Sequence, residues 1–507
     1  MTPNIGQGGN AAIESAAALS NSLKRLLSNG PYEQPSFEEV THSLRSFQKI
    51  REVRAKGTFE ISNKMTRVEA LKGLSERVFA LYISPYTGDW FGNLAAHGCV
   101  GAEKLEYLPD PERSFKATMP FNRNYGVGHE ESRLYRAMIA LPILGMGYLC
   151  HIVMGSVISQ DGVLSQLSSA LANGNLDFGS AKTYTLLPTY YGGLTWLDNI
   201  WRIPIIAFSP SVLNIDPIQR LQMISFLVDL APLYLIWVLE SHRRANVMTF
   251  ARFPVLFGIA FQLFGIGSIG PLYYFLHYVQ SPLSQFLAAD MRLINVGYAR
   301  TALIAIAIAY LAPTIAMYFG PSAPTRLSIN AIWQMFPILV TLTHWAFTRL
   351  LVNDPTRSAR LHNPTADLLS IRIAAITFIV VSALTFNWIR FTSPVPLSTV
   401  LSPTFPFLSA SYRSVMNRSL DLSLVSGMAM LLKMDYLSCF IASYAWLALL
   451  FNDLKAAEMV TETWARLAAY AIVGTFFAGP GAVVGSAWLW REEILASKRA
   501  AGAVVRG

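Results

Sequence analysis

Charged residues are scarce in this chain of 507 residues. Only 14% of them are Asp, Glu, Lys or Arg and 53% are hydrophobic, whereas roughly 25% are charged in an average soluble domain. Cysteine is scarce too, and Cys99, Cys150 and Cys439 have neither metal-ligand spacing nor a disulfide framework. No cleavable signal peptide is expected, because Met1 leads into a Gly-rich polar stretch. This composition excludes an ordinary soluble multidomain enzyme and a disulfide-rich secreted domain.

The net charge of +9 is not organised for nucleic acid, because no basic run is interleaved with aromatic residues. Residues 1–132 read as soluble protein, whereas apolar stretches of about 20 residues, the length that crosses a bilayer, recur from Leu134 onward. We therefore predict an all-α polytopic membrane protein, with a small, mostly helical segment over 1–132 and a transmembrane bundle over 133–507. Its eight predicted spans are 134–158, 221–240, 254–279, 301–319, 327–349, 371–389, 435–452 and 467–490.

Segment 183–209 is apolar but broken by Gly192, Gly193, Asp198 and Pro204. Broken backbone at membrane depth needs protein or a cavity around it. We therefore interpret the segment as interfacial or re-entrant, with a ninth span as the alternative.

Positive charge predicts the orientation. The first 132 residues and the tail after residue 490 are both rich in Lys and Arg. We expect both termini in the cytosol and the bundle in the lipid bilayer of the endoplasmic reticulum.

Ionisable residues inside spans are costly and are functional candidates by default. Asp229 lies near the middle of span 221–240, and Glu240 ends the same span. At about 100° and 1.5 Å per residue the two acids share a helix face about 16 Å apart. Asp229 could instead be a structural acid bonded to a neighbouring helix, and Glu240 could close an interfacial ion pair.

Other polar and aromatic residues have weaker claims. Asp198 lies in aromatic surroundings, His277 is typical of an interfacial histidine, and Asp435 and Asp453 are interpreted as boundary charges of one span. Aromatic faces can stabilise a developing carbocation, although the same rings also pack any helix bundle. The aromatic candidates are Trp196, Tyr234, Trp237, Tyr273 and Tyr274.

The opening string MTPNIGQGGNAAIESAAALSNSL carries a Gly-rich loop before a helix, an arrangement that can hold a pyrophosphate. It resembles the C-terminal flavin-contacting segment of fungal FAD-dependent monooxygenases, and this similarity continues to about residue 125. The nucleotide-binding Gly-x-Gly-x-x-Gly fold of that family is not in the sequence. We interpret Gly6, Gly8 and Gly9 as a vestigial flavin-type loop, either a remnant or part of a larger fusion, and expect no FAD and no other cofactor.

The strings TWLDNIW, WVLESHRRAN, GPLYYFLHYV and GPGAVVGSAWLWREE over roughly residues 130–507 resemble fungal integral membrane terpene cyclases of meroterpenoid pathways, of the macrophorin type. The resemblance implies a cyclase that protonates the terminal alkene or an epoxide of a farnesyl chain, without metal or diphosphate loss. Asp229 would then be the acid, and Glu240 would lie nearer the polar head group. The expected partners are a prenylated small molecule and other enzymes of the pathway.

Two other functions stay open. One is a membrane-tethered FAD-dependent monooxygenase or the anchoring subunit of such an enzyme. The other is a small-molecule transporter, which predicts an internal repeat with paired broken helices. The sequence indicates one broken segment, 183–209, and no partner for it.

Overall fold

The computed structural model describes residues 6–28, 34–87, 102–109, 132–178, 183–286, 291–351, 363–401, 409, 412, 421–457 and 459–501. Cys99 and most of the stretch 88–131, which contributes to the flavin-enzyme resemblance, lie outside these residues. The chain divides into two compact units. They are Met1–Tyr125 with Leu287–Ala289 and Arg499–Gly507, and Gly126–Phe286 with Asp290–Lys498.

The first unit consists of helices and irregular segments in its described part. Ser36 and Glu39 form a capping box that starts its longest helix. The preceding helix packs against it through Glu14. The Glu14 carboxylate oxygens lie 2.8 Å from Arg51 Nη1 and 2.7 Å from Arg54 Nη2 on the longer helix. The helices are α1 (Gly8–Ser28), α2 (Phe37–Glu69) and α3 (Leu74–Val78), followed by short helical turns over Phe79–Ile83 and Ser84–Tyr86.

The first half of the second unit contains the only strands among the described residues, a two-residue antiparallel pair. Its helices are otherwise joined by short turns. The elements are α4 (Arg133–Ile158), α5 (Asp161–Asn173), β1 (Asn175–Leu176), β2 (Tyr184–Thr185), α6 (Thr195–Val212), α7 (Pro217–Ser241), α8 (Pro254–Phe264) and α9 (Ile266–Gln280).

The second half of the same unit contains helices and their connections, and no strands, among its described residues. A π-helical turn, Ala307–Leu311, joins its first two helices into one continuous segment. The helices are α10 (Val296–Ile306), α11 (Ala312–Phe319), α12 (Ala323–Gln334), α13 (Phe336–Leu351), α14 (Leu368–Thr392), α15 (Leu397–Leu401), α16 (Leu424–Ala456), α17 (Trp464–Ala478) and α18 (Pro480–Ala501).

Five helical segments are long and apolar enough to cross a membrane among the described residues: α4, α7, α10 with α11, α14 and α16. The prediction of an all-α fold is confirmed, and these five segments fit membrane spans by length and composition, whereas eight spans are not supported. Three predicted spans are interrupted within their length, so that no single helix covers them. The interruptions are Gly265 within 254–279, Met335 within 327–349 and Gly479 within 467–490.

Glycine makes two of these interruptions. Gly265 has φ +81° and Gly479 has φ +85°, values at which a side chain is strained but glycine is free. Both sites are also crowded, because a Cβ atom would lie 2.5 Å from Asp435 Oδ1 at Gly265 and 2.8 Å from the Phe386 ring at Gly479. Each apolar run therefore becomes two short helices that meet at a glycine.

Segment 183–209 is partly irregular. It contains β2, a loop in which Gly192 and Gly193 have positive φ, and most of α6. Helix α6 is not among the five candidate spans. Its interfacial or re-entrant position stays a prediction.

Helix α7 lies at the centre of the second unit. Every residue from Gln222 to Ser241 is buried. The helix is surrounded by α6, α10, α14 and α16, while α4, α9 and α16 pack together beside it. An apolar helix that is buried on all sides marks the core of a helical bundle.

Candidate functional site

Asp435 is buried inside helix α16. The helix begins at Leu424, so the carboxyl group lies about three turns, or about 16 Å, beyond its start. Its interpretation as a boundary charge is therefore wrong, because the helix extends further toward the N-terminus than the apolar run does. The Gly267 N–H donates a hydrogen bond of 2.6 Å to Asp435 Oδ1. Gly267 lies in the first turn of α9, so Asp435 lies at the N-terminus of that helix. An acid in this position is favoured both as a hydrogen-bond acceptor and by the helix dipole.

A cavity of about 160 Å³ opens beside Asp435. It lies among α4, α5, α6, α7, α8, α9, α12 and α16, and most of its wall is apolar. Asp435 is the one carboxyl group among the lining residues, and His151 on α4 is a second polar group. The aromatic residues of the wall are Phe208, Phe226, Phe261, Phe264 and Trp333.

Asp229 is also buried, but it lies in close packing. Ser382 Oγ donates a hydrogen bond of 2.5 Å to Asp229 Oδ1, and the Tyr436 hydroxyl lies 3.4 Å from Oδ2. The backbone of α18 presses against it, since a Cβ atom on Gly481 would lie 2.6 Å from Asp229 Oδ1. Asp229 is not among the residues that line the cavity beside Asp435. Its role as the acid stays a prediction.

Glu240 lies in a buried network of charges. Arg243 Nε and Asn246 Nδ2 both lie 2.7 Å from Glu240 Oε2, and the Trp488 indole N–H donates a 2.9 Å hydrogen bond to Oε1. Trp488 and Gly481 both belong to α18, so Glu240 and Asp229 do face one helix. The shared face of α7 therefore packs against other helices, and Glu240 forms an ion pair with Arg243.

The network extends across four parts of the chain. Arg243 also contacts Glu492 at 2.8 Å, and Arg292 contacts Glu492 at 3.3 Å. Arg292 in turn pairs with Asp367 at the start of α14. With Arg491, which is close to both glutamates, three arginines balance three acids. The pairing offsets the high cost of burying these charges.

His277 joins this network to the aromatic residues. The Trp446 indole N–H donates to His277 Nδ1 at 3.2 Å, so that nitrogen carries no proton. The neutral ring then has its proton on Nε2, which lies 3.5 Å from Glu240 Oε2. His277 therefore turns a hydrogen-bond donor toward the carboxylate and an aromatic face toward Tyr273.

Four of the predicted aromatic residues come together beside His277. Trp237 stacks on Tyr273 with ring centroids 4.0 Å apart, and it contacts Tyr274 edge-on at 5.8 Å. Tyr234 lies 6.3 Å from Trp237. All four side chains are almost completely buried. They form a wall between α7 and α9 behind Phe261, which itself lines the cavity.

Asp198 and Trp196 lie apart from this group. Asp198 accepts hydrogen bonds of 2.7 Å from Thr189 Oγ1 and from the Tyr190 N–H, which tie the preceding loop to α6. Burial acts to raise the pKa of Asp198, but these hydrogen bonds outweigh it and the pKa is lowered. The Trp196 side chain is 62% exposed. Neither residue lines the cavity.

The predicted flavin-type loop is open in its described part. Gly6 has φ +63°, and Gly8 and Gly9 form the first turn of α1. A Cβ atom at any of the three would meet nothing within 4 Å. The expectation that no FAD binds here stays a prediction.

Sequence reasoning missed the cavity acid and half of the charge network. The sequence predicts Asp435 at a span end and Arg491 as a basic residue of the tail after residue 490, and it assigns no role to Arg292, Asp367 or Glu492. One signal for Asp435 was available, namely two glycines, Gly265 and Gly267, inside an apolar run. Such glycines indicate a helix break or the close approach of another backbone.

Comparison with known proteins relates the whole chain to a fungal family. The FAD-dependent monooxygenase verC1 of Penicillium polonicum is 34% identical over 509 residues, which cover 99% of this chain and 60% of that protein. The FAD-dependent monooxygenase anuJ of Penicillium roqueforti is 30% identical, over 100% of this chain and 59% of that protein. The chain thus spans about 60% of the length of these curated relatives.

A shorter similarity accompanies these two. The FAD-dependent monooxygenase aurC of Calcarisporium arbuscula is 36% identical over 132 residues, or 26% of this chain and 27% of that protein. No solved structure matches the chain. A family model described as the CtvD domain matches residues 137–496, which include the cavity, Asp229, Asp435 and the charge network. The chain therefore belongs to the CtvD domain family.

Proposed function

We propose that the chain is a membrane-bound terpene cyclase of a fungal meroterpenoid pathway, which starts ring closure by protonating an epoxide or a terminal alkene of a prenyl chain. The observation that carries this proposal is the aromatic-lined cavity with a single carboxyl group, Asp435, in its wall. An apolar enclosure favours the neutral form of a carboxyl group, which is the form that can donate a proton. The aromatic walls can stabilise the positive charge that follows.

The relatives support an oxygenated substrate. verC1 and anuJ are named FAD-dependent monooxygenases, and a monooxygenase that acts on an alkene can leave an epoxide. The protonated oxygen of an epoxide is a good leaving group, so a weak acid suffices to open the ring. The CtvD domain would then use the product of an oxygenation step and would itself need no flavin.

The chemistry balances without a co-reactant. The acid gives its proton to the epoxide oxygen, the C–O bond breaks, and the oxygen remains as a hydroxyl group. The tertiary carbocation is attacked by the π electrons of the next alkene, and a C–C bond forms. The last cation loses a proton to the carboxylate, which restores the acid. The product has the same mass as the substrate.

Asp435 fits the role of proton donor better than Asp229 does. Only Asp435 lines the cavity, whereas Asp229 is enclosed by Ser382, Tyr436 and Gly481. The Tyr436 hydroxyl nevertheless links the two acids, because Tyr436 follows Asp435 and lies 3.4 Å from Asp229. We propose Asp435 as the acid and Asp229 as a group that holds Tyr436 in place.

An isomerisation assay tests this function. Membranes that carry the full chain are incubated with a farnesylated quinone-type substrate, either as the terminal alkene or as its epoxide. We expect a product of equal mass and fewer alkene signals, formed without added NADPH or flavin. A product heavier by one oxygen atom, together with flavin absorbance of the purified protein, would overturn the proposal in favour of a monooxygenase.

A small-molecule transporter is the second candidate. The observation that favours it is the pair of glycine-broken helices, α8–α9 and α17–α18, because paired broken helices are typical of transporter binding sites. Uptake of a labelled prenylated substrate into sealed vesicles, with no change in its structure, would support this candidate over the cyclase.

A further inference from the structure

A second cavity, of about 420 Å³, opens where α7 ends. His242 and Arg252, which lie between α7 and α8, form one side of it, and Tyr298 on α10 and His344 on α13 form the other. None of these four residues lines the cavity beside Asp435. The second cavity is therefore a separate site with a different chemical character.

Arg252 gives this cavity a positive charge. Its Nη1 donates a 3.0 Å hydrogen bond to the Ser241 carbonyl oxygen, and within the described part of the chain no carboxylate pairs with it. Arg243 and Arg292 nearby each contact an acid directly. Burial lowers the pKa of Arg252, and no acid compensates for this effect. A half-buried cation without a counter-ion is stabilised when an anion binds beside it.

His242 and His344 line the cavity with groups that can form hydrogen bonds, and they add no positive charge to it. The His242 ring stacks on Tyr298 with centroids 3.7 Å apart, and His344 Nε2 lies 2.8 Å from the Tyr298 carbonyl oxygen, to which it donates. Burial, with His344 and Arg252 close by, holds the pKa of His242 well below its usual range. A neutral His242 keeps one N–H group that can be donated to a ligand.

The start of α8 adds a further feature that favours an anion. Phe253, Pro254 and Val255 line the same cavity, and they form the N-terminus of a helix of 11 residues. Pro254 has no N–H, and the Phe253 and Leu256 N–H groups donate to the Phe250 and Phe253 carbonyl oxygens, so this helix end contributes the positive end of its dipole, which favours negative charge. Arg252 and the N-terminus of α8 therefore both favour an anion inside this cavity.

The rim of the cavity is apolar and exposed. Leu342, Trp345 and Phe253 have exposed fractions of 58%, 53% and 49%, and all three line the cavity. These exposed apolar side chains lie beside the half-buried Arg252. The pairing fits a ligand in which an anionic group is attached to an apolar chain. The indole of Trp345 is typical of the membrane–water interface.

We propose that this cavity binds a phosphate group, with Arg252 and the N-terminus of α8 as the anion-binding elements. The source is either a membrane lipid with an exposed phosphate, whose chains lie along Leu342 and Trp345, or free phosphate. The site is independent of ring closure, so it can fail while the cyclase proposal stands.

The test uses the full chain in lipid nanodiscs. Phosphatidylcholine discs serve as the reference, and the two arms are discs that contain phosphatidic acid and reference discs with added inorganic phosphate. Retained lipid is measured by native mass spectrometry and stability by the melting temperature. We expect a higher melting temperature in at least one arm, and the arm that responds identifies the source.

Three variants make the result specific. Arg252→Gln should lower the affinity for the phosphate group in the responding arm by about tenfold or more, because one hydrogen-bonded charge is lost. Arg252→Lys should keep part of the response. Arg349→Gln is the matched control, because it removes an exposed arginine from the helix that carries His344 without touching the cavity. No response in either arm, or an equal loss with Arg349→Gln, would overturn the proposal.

Discussion

Two regions of the second unit share one local arrangement. In each, a glycine with positive φ breaks an apolar run, and the second half-helix begins beside a buried aspartate. Gly265 places α9 against Asp435, and Gly479 places α18 against Asp229. Both aspartates lie on long apolar helices, α16 and α7.

The difference is in what surrounds the two carboxyl groups. Asp229 is enclosed by a serine hydroxyl, a tyrosine hydroxyl and a glycine backbone, whereas Asp435 lines a cavity with five aromatic side chains. The same arrangement can therefore serve structure in one place and chemistry in the other. Access to this cavity distinguishes the two carboxyl groups, because Asp435 is among its lining residues and Asp229 is not.

The largest expected effect separates the two acids directly. Asp435→Asn should lower the rate of ring closure by about 10²–10⁴, the usual contribution of a general acid, because the amide keeps the hydrogen bond from Gly267 but cannot supply the proton. Asp229→Asn is the matched variant and should cost less than about tenfold. Initial rates in membranes, normalised to the amount of folded protein, measure both. The reverse ranking would return the acid's role to Asp229.

Breaking the charge network should lower the stability of the protein more than it changes the relative importance of Asp435 and Asp229 for activity. Arg292→Met leaves Asp367 and Glu492 buried without this partner, and we expect a loss of about 3–5 kcal/mol in the free energy of unfolding. Denaturation in detergent measures it. Arg372→Met is the control, because Arg372 pairs with Glu493 at the surface and its loss should cost less than about 1 kcal/mol. Equal losses would contradict a buried, balanced network.

The glycine breaks allow a test of the shared arrangement. Gly265→Ala and Gly479→Ala both place a Cβ at positive φ, which should cost about 1–3 kcal/mol of stability in each case. Only Gly265→Ala also brings that Cβ to 2.5 Å from Asp435 Oδ1, so it should lower the rate further than Gly479→Ala does. Melting temperatures and rates, measured on the same preparations, separate the two effects. Equal rates in the two variants would argue against Asp435.

The smallest expected effect concerns the enclosure of Asp229. Ser382→Ala removes the 2.5 Å hydrogen bond to the carboxyl group and should cost about 1–2 kcal/mol of stability. Ring closure should stay within about threefold of the wild-type rate. A loss of activity as large as that of Asp435→Asn would indicate that the Asp229 side takes part in the chemistry.

Composition and apolar run length predicted the membrane character and the all-α fold, because both depend on properties that add up along the chain. The number of spans could not be obtained in this way. A hydropathy window averages across Gly265 and Gly479, whereas the backbone at each of these glycines is decided by the contacts of one residue. The predicted aromatic residues Tyr234, Trp237, Tyr273 and Tyr274 do cluster, because large apolar side chains on facing helices pack together.

The site residues were harder to predict than the fold. Asp229 stands out in the sequence since apolar residues surround it, but its enclosure depends on Ser382 and Gly481, which are more than 150 positions away. Asp435 was missed because α16 begins before the apolar run does. No local pattern shows which buried acid faces a cavity, since the cavity is formed by eight helices from distant parts of the chain.

The charge network has a consequence for how the chain assembles during synthesis. Arg243 and Arg292 are made long before Glu492, which lies on α18 and contacts both. Until that helix emerges, these two cations lack one of their counter-ions, and the incomplete bundle presents charges that a membrane tolerates poorly. Helix α18 therefore completes the charge balance of the bundle, and a copy in which it has not yet packed leaves both arginines short of a counter-ion.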